Sequence, residues 1–189
     1  MEIVQLGDPV LRQKAQPVEK ITEELKATLE EMFDIMIEAN GVGLAAPQIG
    51  RSERFFVVIS DDDVRRVFIN PQIVSTSQET CEMEEGCLSL PKLYENIVRP
   101  KEITVQALNE NGKPFTLNAD GLLARIIQHE YDHLEGFLYI DRGDEAFKQK
   151  AEEQFAKRAE RRMQKLAAKQ AKQAKIAAKL AKKTGQSKC

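Results

Sequence analysis

The chain has 189 residues, of which 42% are hydrophobic, which is enough for the core of one compact domain. A chain of this length is unlikely to contain a second full domain. It contains no run of about 18 apolar residues that could span a bilayer, and its first residues lack the basic and apolar segments of a signal peptide, so we expect a cytoplasmic protein. The formal net charge of −2 hides a division, because residues 1–153 carry 16 basic and 29 acidic side chains, a net −13, whereas residues 154–189 carry 12 and one, a net +11.

The first predicted element is an amphipathic helix between residues 25 and 37. Its apolar side chains recur at steps of three and four residues, the spacing that places them on one helical face. Asn40-Gly41 would end the helix. We therefore expect the helix to pack on the body of the domain through Leu25, Leu29, Met32, Phe33, Met36 and Ile37.

A glycine-rich segment follows this helix at residues 41–50. It reads GVGLAAPQIG, so three glycines and a proline stand among small apolar residues. Such a backbone can approach a ligand closely, although the segment taken alone could equally be an ordinary connection between a helix and a strand.

Short β-rich runs predict small antiparallel or mixed sheets. Asn111-Gly112 lies between the last two runs and is typical of a hairpin turn. The runs are residues 55–59, 67–69, 103–108 and 115–117. The predicted fold class is therefore α+β.

The most informative motif is QHEYDH at residues 128–133, which contains the only two histidines of the chain. We predict a partly buried helix that starts with Asp120 as its cap, runs to Leu134 and ends at Gly136. Positions i and i+4 share one helical face, so both imidazoles can bind one cation while Glu130 reaches a water molecule on it. A catalytic site of the zinc type needs a third protein ligand, which the motif does not supply.

Residues 85–91 form a further candidate segment, with the sequence EGCLSLP. Its cysteine, Cys87, is one of three at irregular spacing, which does not indicate a disulfide framework and leaves a thiol able to bind metal. A lone cysteine is nevertheless more often a small buried hydrophobic residue than a ligand.

Together, GVGLAAPQIG, EGCLSLP and QHEYDH resemble the three motifs of the peptide deformylase family, in the same order, and the resemblance covers about residues 1–145. It implies that Cys87 is the third metal ligand beside His129 and His133. Thiolate and imidazole donors suit several divalent transition metals. The resemblance implies Fe2+ as the working metal, which Zn2+, Ni2+ or Co2+ can replace.

The resemblance also implies a reaction, the removal of the N-formyl group from the initiator methionine of nascent polypeptides with release of formate. Glu130 would serve as general base and then as general acid. Gln48 and the Leu88 amide would stabilise the negative charge on the carbonyl oxygen. The substrate backbone would pair with Gly43 and Gly86. The apolar residues that match or neighbour the methionine pocket are Val42, Met83, Leu122 and Ile126.

Residues around the ligands are expected to orient them. Glu85, Ser89 and Asp132 are candidate hydrogen-bond partners, because metal-bound histidines usually donate their second N–H to an oxygen. Arg99 matches a recurring arginine of the family and is expected to pair with a carboxylate such as Glu85. The chain departs from the family at the residue after Pro91, where many members have glycine, and at Tyr94, where some have arginine.

Two protease patterns offer alternatives within the enzymes. A zinc endopeptidase could use His129, His133 and Glu153, because one protease group takes its third ligand about twenty residues beyond the second histidine. A second group requires HExxHxxGxxH, and here Gly136 fits the pattern but Tyr139 replaces the last histidine.

The basic tail offers an alternative outside catalysis, a ribosome- or RNA-binding protein. Lysine and arginine recur at steps of three and four residues through residues 154–189, which would array positive charge along a helix. We predict a catalytic domain at residues 1–148 and a projecting helical tail with a frayed end at residues 149–189. The whole protein is expected to be a monomer with no membrane partner, and the tail is expected to bind ribosomal RNA.

Overall fold

The computed structural model describes residues 1–185, and for Leu166 and residues 174–185 it describes the backbone alone. The chain divides into two units, Met1–Ala151 and Glu152–Cys189. Within the described residues, no helix combines the length and the apolar character needed to cross a membrane.

Three α-helices and seven β-strands form the described part of the chain, which confirms the predicted α+β class. The helices are α1 (Glu23–Glu38), α2 (Gly121–Glu135) and α3 (Glu145–Gly185). The strands are β1 (Gly43–Ala45), β2 (Phe55–Ile59), β3 (Arg65–Thr76), β4 (Thr80–Cys87), β5 (Leu90–Pro100), β6 (Ile103–Leu108) and β7 (Pro114–Ala119).

Five strands form one antiparallel sheet in the order β1-β2-β3-β6-β7. The predicted runs at β2 and β6 have the bounds expected from the sequence, whereas β3 extends well beyond residues 67–69. The predicted hairpin joins β6 to β7, and Gly112 in its turn has a φ of +73°.

Strand β2 is apolar at every position and is buried on both faces of the sheet. Successive side chains of a strand point to opposite faces. Phe55 and Val57 accordingly pack with α1, while Phe56 and Val58 pack with α2. The sheet therefore lies between α1 and α2 and carries β1 at its edge.

The strands β4 and β5 pair as a separate antiparallel hairpin. The sequence analysis did not predict this second sheet. Its strands contain four glutamates and two prolines, and apolar residues do not alternate regularly with polar ones through either strand. The two strands form because they pair with each other and because they bury Glu85, Leu90, Ile97 and Arg99.

Helix α1 ends as predicted, and it begins two residues before the predicted apolar stripe. The Thr22 hydroxyl accepts a hydrogen bond from the Leu25 amide at 3.2 Å, and Asn40 takes a left-handed conformation with a φ of +56°. The predicted apolar stripe is buried except for Ile37, which is 49% exposed. The prediction that Ile37 packs on the body is therefore wrong, because the buried face of the helix is narrower than the set of apolar residues in its sequence.

Helix α2 confirms the predicted element that carries the histidines. It ends at Gly136, which has a φ of +80° and whose amide bonds back to the last turn. Asp120 occupies the N-cap position as predicted. Its side chain makes no capping hydrogen bond, so the predicted side-chain cap is wrong.

Helix α3 contains the start of the basic tail. Within its described side chains, Lys157 pairs with Glu153 at 3.4 Å, and Arg158 lies over the ring of Phe155 at 4.7 Å. The frayed end predicted for the tail falls on residues 186–189, which lie outside the described residues.

Candidate functional site

Helix α2 brings His129, Glu130 and His133 to one buried site. The helix packs against the edge of the large sheet, where apolar side chains such as Ile126 and Ile127 join the core. The two histidines are four residues apart and so face the same way. All three side chains are almost completely buried, as a protected reaction centre requires.

Cys87 meets these histidines from the end of β4. Its Sγ lies 3.3 Å from His133 Nε2, and ligand atoms of Cys87, His129 and His133 all lie within 4.8 Å of one another. Among the described residues, this is the one group of three His, Cys, Asp or Glu side chains that could hold a metal ion. The donor set fits a divalent transition metal with one position left for water or substrate.

The zinc endopeptidase alternative loses its third ligand. Glu153 is 71% exposed and pairs with Lys157 one helical turn further along α3. It does not belong to the possible metal-binding group of the described residues.

Glu85 orients His129. The His129 Nδ1 atom lies 2.8 Å from Glu85 Oε2, which leaves Nε2 as the nitrogen that faces Cys87. Arg99 donates to both oxygens of Glu85, at 2.6 and 3.0 Å, and thus confirms the predicted pairing. Burial raises the pKa of Glu85, but the hydrogen bonds from His129 and Arg99 outweigh it and hold that pKa below its usual value.

The other predicted partners take different positions. Arg99 also pairs with Asp132 at 2.6 Å, so Asp132 supports Arg99 and not His133. Ser89 lies beside Gln48. The His133 Nδ1 atom has no hydrogen-bond partner among the described residues. Burial, followed by the nearby charges, lowers the pKa of His133 well below its ordinary value.

Glu130 presents a carboxylate oxygen to the site. Its Oε2 atom is buried and has no hydrogen-bond partner among the residues that the structure describes. Burial is the main cause that raises the pKa of Glu130 to about 7. A Cβ atom on Gly43 would lie 2.4 Å from Glu130 Oε1, so only glycine lets β1 pass this close to the carboxylate.

Gln48 lies on the short 3-10 helix Ala46–Ile49, and its side chain extends towards Cys87. Its Oε1 accepts a hydrogen bond from the Ala45 amide at 2.8 Å, which sets the orientation of the side-chain amide. Nε2 is therefore directed towards Cys87 Sγ and Ser89 Oγ, each at 3.4 Å. The side chain offers an N–H donor beside the candidate metal ligands.

These groups open into a cleft of about 710 Å³. Glu130, Gln48, Cys87, Leu88 and His129 all line it. So do the six residues predicted to contact substrate, namely Val42, Gly43, Met83, Gly86, Leu122 and Ile126. Val42 and Leu122 are exposed, whereas Ile126 is buried. The structure thus gathers these eleven predicted residues around one opening.

Two buried residues at the site were not predicted. Arg125 donates from α2 to Glu85 at 2.7 Å and to the carbonyls of Ile97 and Cys81 at 2.8 Å, and so ties the β4-β5 hairpin to the helix. It stands four residues before His129, on the same helical face, and that spacing was a usable signal. Tyr139 stacks on His129, and no sequence signal indicated this contact.

Sequence comparison places the chain among well-defined relatives. A sequence model of the polypeptide deformylase family matches residues 1–152. Peptide deformylase of Treponema pallidum (strain Nichols) is 51% identical over 156 residues, which cover 82% of this chain and 96% of that protein. Peptide deformylase 1 of Clostridium perfringens (strain 13 / Type A) is 50% identical over 135 residues, which cover 71% and 91%.

Solved structures show the same likeness. A crystal structure of peptide deformylase from Thermotoga maritima matches with a TM-score of 0.73 and 46% identity, covering 76% of this chain and 97% of that one. Peptide deformylase from Synechococcus elongatus, in complex with actinonin, matches with a TM-score of 0.77 and 42% identity, covering 82% and 85%.

Proposed function

The chain belongs to the polypeptide deformylase family, and we propose that it hydrolyses the formyl group from N-formylmethionyl nascent polypeptides and releases formate. One observation carries the proposal. Cys87, His129 and His133 offer ligand atoms within 4.8 Å of one another, and Cys87 and His129 line a cleft together with Glu130 and Gln48.

The two histidines and the cysteine would hold one divalent cation. Fe2+ is the metal that the family membership favours, and Zn2+, Ni2+ or Co2+ can take the same donors. When bound, the cation supplies an activated water molecule and a positive charge beside the scissile carbonyl. The hydrogen bond between His129 Nδ1 and Glu85 would leave His129 Nε2 as the atom that binds the cation.

Proton transfer falls to Glu130. Its Oε2, which has no hydrogen-bond partner among the described residues, would accept a proton from the attacking water. As the bond between the formyl carbon and nitrogen breaks, the same oxygen would return that proton to the leaving amine. Water and the formamide thereby become formate and a free methionine amino terminus.

Charge stabilisation falls to Gln48 and Leu88. The Gln48 Nε2–H, oriented by the Ala45 amide, would donate to the formyl oxygen as negative charge grows on it. The Leu88 amide would provide a second donor. Because these donors are held in place before the reaction, no reorganisation is needed when the charge appears.

The substrate would enter as an extended chain. Its backbone would pair with Gly43 on β1 and Gly86 on β4, both of which line the cleft. Its methionine side chain would occupy the apolar surface that is lined by Val42, Met83, Leu122 and Ile126.

Formate release from formyl-Met-Ala-Ser by anaerobically purified, iron-loaded protein tests the function. We expect turnover by the parent, a loss of about 10²- to 10⁴-fold in Glu130→Ala, and a loss of about 10²- to 10³-fold in Gln48→Leu with the metal retained. Cys87→Ala should lose both metal and activity, whereas Cys81→Ala and Glu153→Ala should keep both.

Each failure has a separate meaning. A parent that contains metal yet releases no formate would reject deformylation. Full activity in Cys87→Ala would reject the ligand assignment, and a loss confined to Glu153→Ala would restore the endopeptidase alternative.

The finer biological setting is also a proposal. We place the enzyme in the cytoplasm as a monomer that reaches nascent chains through residues 154–189, which would bind ribosomal RNA. The described side chains of Arg161, Arg162, Lys165, Lys169 and Lys172 are exposed along α3, as phosphate contacts require. Five further lysines, at 175, 179, 182, 183 and 188, have side chains outside the described set.

A further inference from the structure

Tyr139 contacts a candidate metal ligand, yet the proposed reaction does not use it. It follows α2 in the short 3-10 helix Tyr139–Asp141 and is buried to 1% exposure. Its ring stacks on the imidazole of His129, with centroids 5.8 Å apart and planes inclined by 25°. The ring of Phe147 packs against it at 6.4 Å. Tyr139 is therefore held rigidly against the ring of His129.

The hydroxyl of Tyr139 reaches a different element. It donates a hydrogen bond to the carbonyl of Leu93, at 3.0 Å and 46 residues away in sequence. Residues 91–93, here called the rim bulge, fall out of the β4-β5 ladder, because Gly86 pairs with Tyr94 while the next residue, Cys87, pairs with Leu90. The register of the ladder is therefore interrupted at the bulge. The Tyr139 hydroxyl gives the Leu93 carbonyl a hydrogen-bond donor from outside the hairpin.

The rim bulge is part of the cleft wall. Its three residues line the cleft together with Tyr94. Lys92 within it has a φ of +66°, a strained conformation that persists only where the surroundings hold it. The adjacent Tyr94 ring covers Gly86, since a Cβ atom on that glycine would lie 2.6 Å from Tyr94 Cε1. The bulge therefore sets the shape of the cleft beside Gly86.

We propose that Tyr139 is a positioning residue with two separable roles, in which its hydroxyl holds the rim bulge for substrate binding and its ring supports His129. The first role rests on the proposed function, because Gly86 is where the peptide backbone would pair. Loss of the hydroxyl alone should weaken binding of substrate and transition state equally, which raises KM and leaves kcat unchanged.

Tyr139→Phe is the direct test, because it removes the hydroxyl and keeps the ring. We expect KM for formyl-Met-Ala-Ser to rise by roughly 3- to 10-fold, the range for losing one hydrogen bond, with kcat and bound metal unchanged. Tyr131→Phe is the matched control on α2, where the ring packs against the core beneath Arg54. It should leave KM, kcat and metal content unchanged.

Two measurements do not depend on turnover. Amide hydrogen exchange at residues 92–94 should be faster in Tyr139→Phe than in the parent and unchanged in α1. Tyr139→Leu, which also removes the ring, should lose metal to a chelator faster than Tyr139→Phe does.

Unchanged KM together with unchanged exchange at residues 92–94 would overturn the proposal. A fall in kcat and metal content in Tyr139→Phe would overturn it as well, because the hydroxyl would then act through His129. A parent without formate release would refute the proposed function alone, since exchange and metal retention still report on Tyr139.

Discussion

Glu85 accepts hydrogen bonds from three side chains at once. His129 Nδ1 lies 2.8 Å away on one oxygen, while Arg99 and Arg125 donate to the other at 2.6 and 2.7 Å. Burying a carboxylate is costly unless charged partners and hydrogen bonds compensate for it. Here the same contacts orient His129, a candidate metal ligand. Glu85 therefore contributes both to the stability of the fold and to the geometry of the site.

Glu85→Gln tests this connection. The amide keeps the size of the side chain but loses its charge, and it leaves two buried arginines short of a partner. We expect the free energy of unfolding to fall by about 3–5 kcal/mol and metal affinity to fall by about 10- to 100-fold. Urea unfolding and competition with a chelator measure the two effects.

Glu79→Gln is the matched control for that substitution. Glu79 is 78% exposed and pairs with Lys101 at 3.3 Å, so its change should stay within about 0.5 kcal/mol. If the free energy of unfolding fell equally in the two variants, burial of Glu85 would not explain its contribution to stability.

Helix α2 depends on glycine at both of its boundaries. Gly121 and Gly136 have φ angles of +52° and +80°, in the region that side chains disfavour. Their surroundings differ, because a Cβ atom on Gly136 would lie 2.9 Å from the Arg12 carbonyl oxygen, whereas one on Gly121 would meet no described atom within 4 Å. The end of the helix is therefore pressed against the N-terminal segment.

Alanine at each boundary separates backbone strain from crowding. Gly121→Ala should cost about 1–2 kcal/mol, the penalty of the left-handed conformation. Gly136→Ala should cost a further 1–3 kcal/mol or so, because the Arg12 backbone must move. Urea unfolding at matched metal content measures both, and equal losses would mean that the Arg12 segment yields without cost.

Charge is unevenly distributed along the chain of the whole molecule. Residues 1–153 carry a net −13 and residues 154–189 a net +11. A negative body repels nucleic acid, whereas a basic helix releases counterions when it binds phosphates. Any binding to ribosomes should therefore depend on the tail and weaken as salt rises.

Replacing Arg161, Arg162 and Lys165 with glutamine tests the tail. We expect cosedimentation with ribosomes to weaken, and the slope of log affinity against log salt to become shallower by about 2–3, near 0.7–0.9 for each phosphate that the tail no longer neutralises. The control replaces the exposed Lys20, Lys101 and Lys113 of the body and should change neither quantity. Binding that ignores salt, or that falls equally in the control, contradicts the tail hypothesis.

Local periodicity and motif order were sufficient for a large part of this protein. The helical repeat alone places His129, Glu130 and His133 on one face of α2, and Gly136 marks its end, because both features depend on residues within a few positions of one another. The apolar run at β2 and the Asn111-Gly112 turn similarly predicted their strands. The family motifs identified Cys87, which the structure brings to 3.3 Å from His133.

Only the tertiary structure determined the surroundings of these residues. The β4-β5 hairpin, the ties from Arg125 to Glu85 and the bond from Tyr139 to Leu93 join residues that are far apart in the chain. Such pairs leave no periodic signal, because each depends on how separate elements pack and not on neighbours in sequence. The candidate metal ligands can thus be identified from the sequence, whereas the contacts that hold them in position arise from packing.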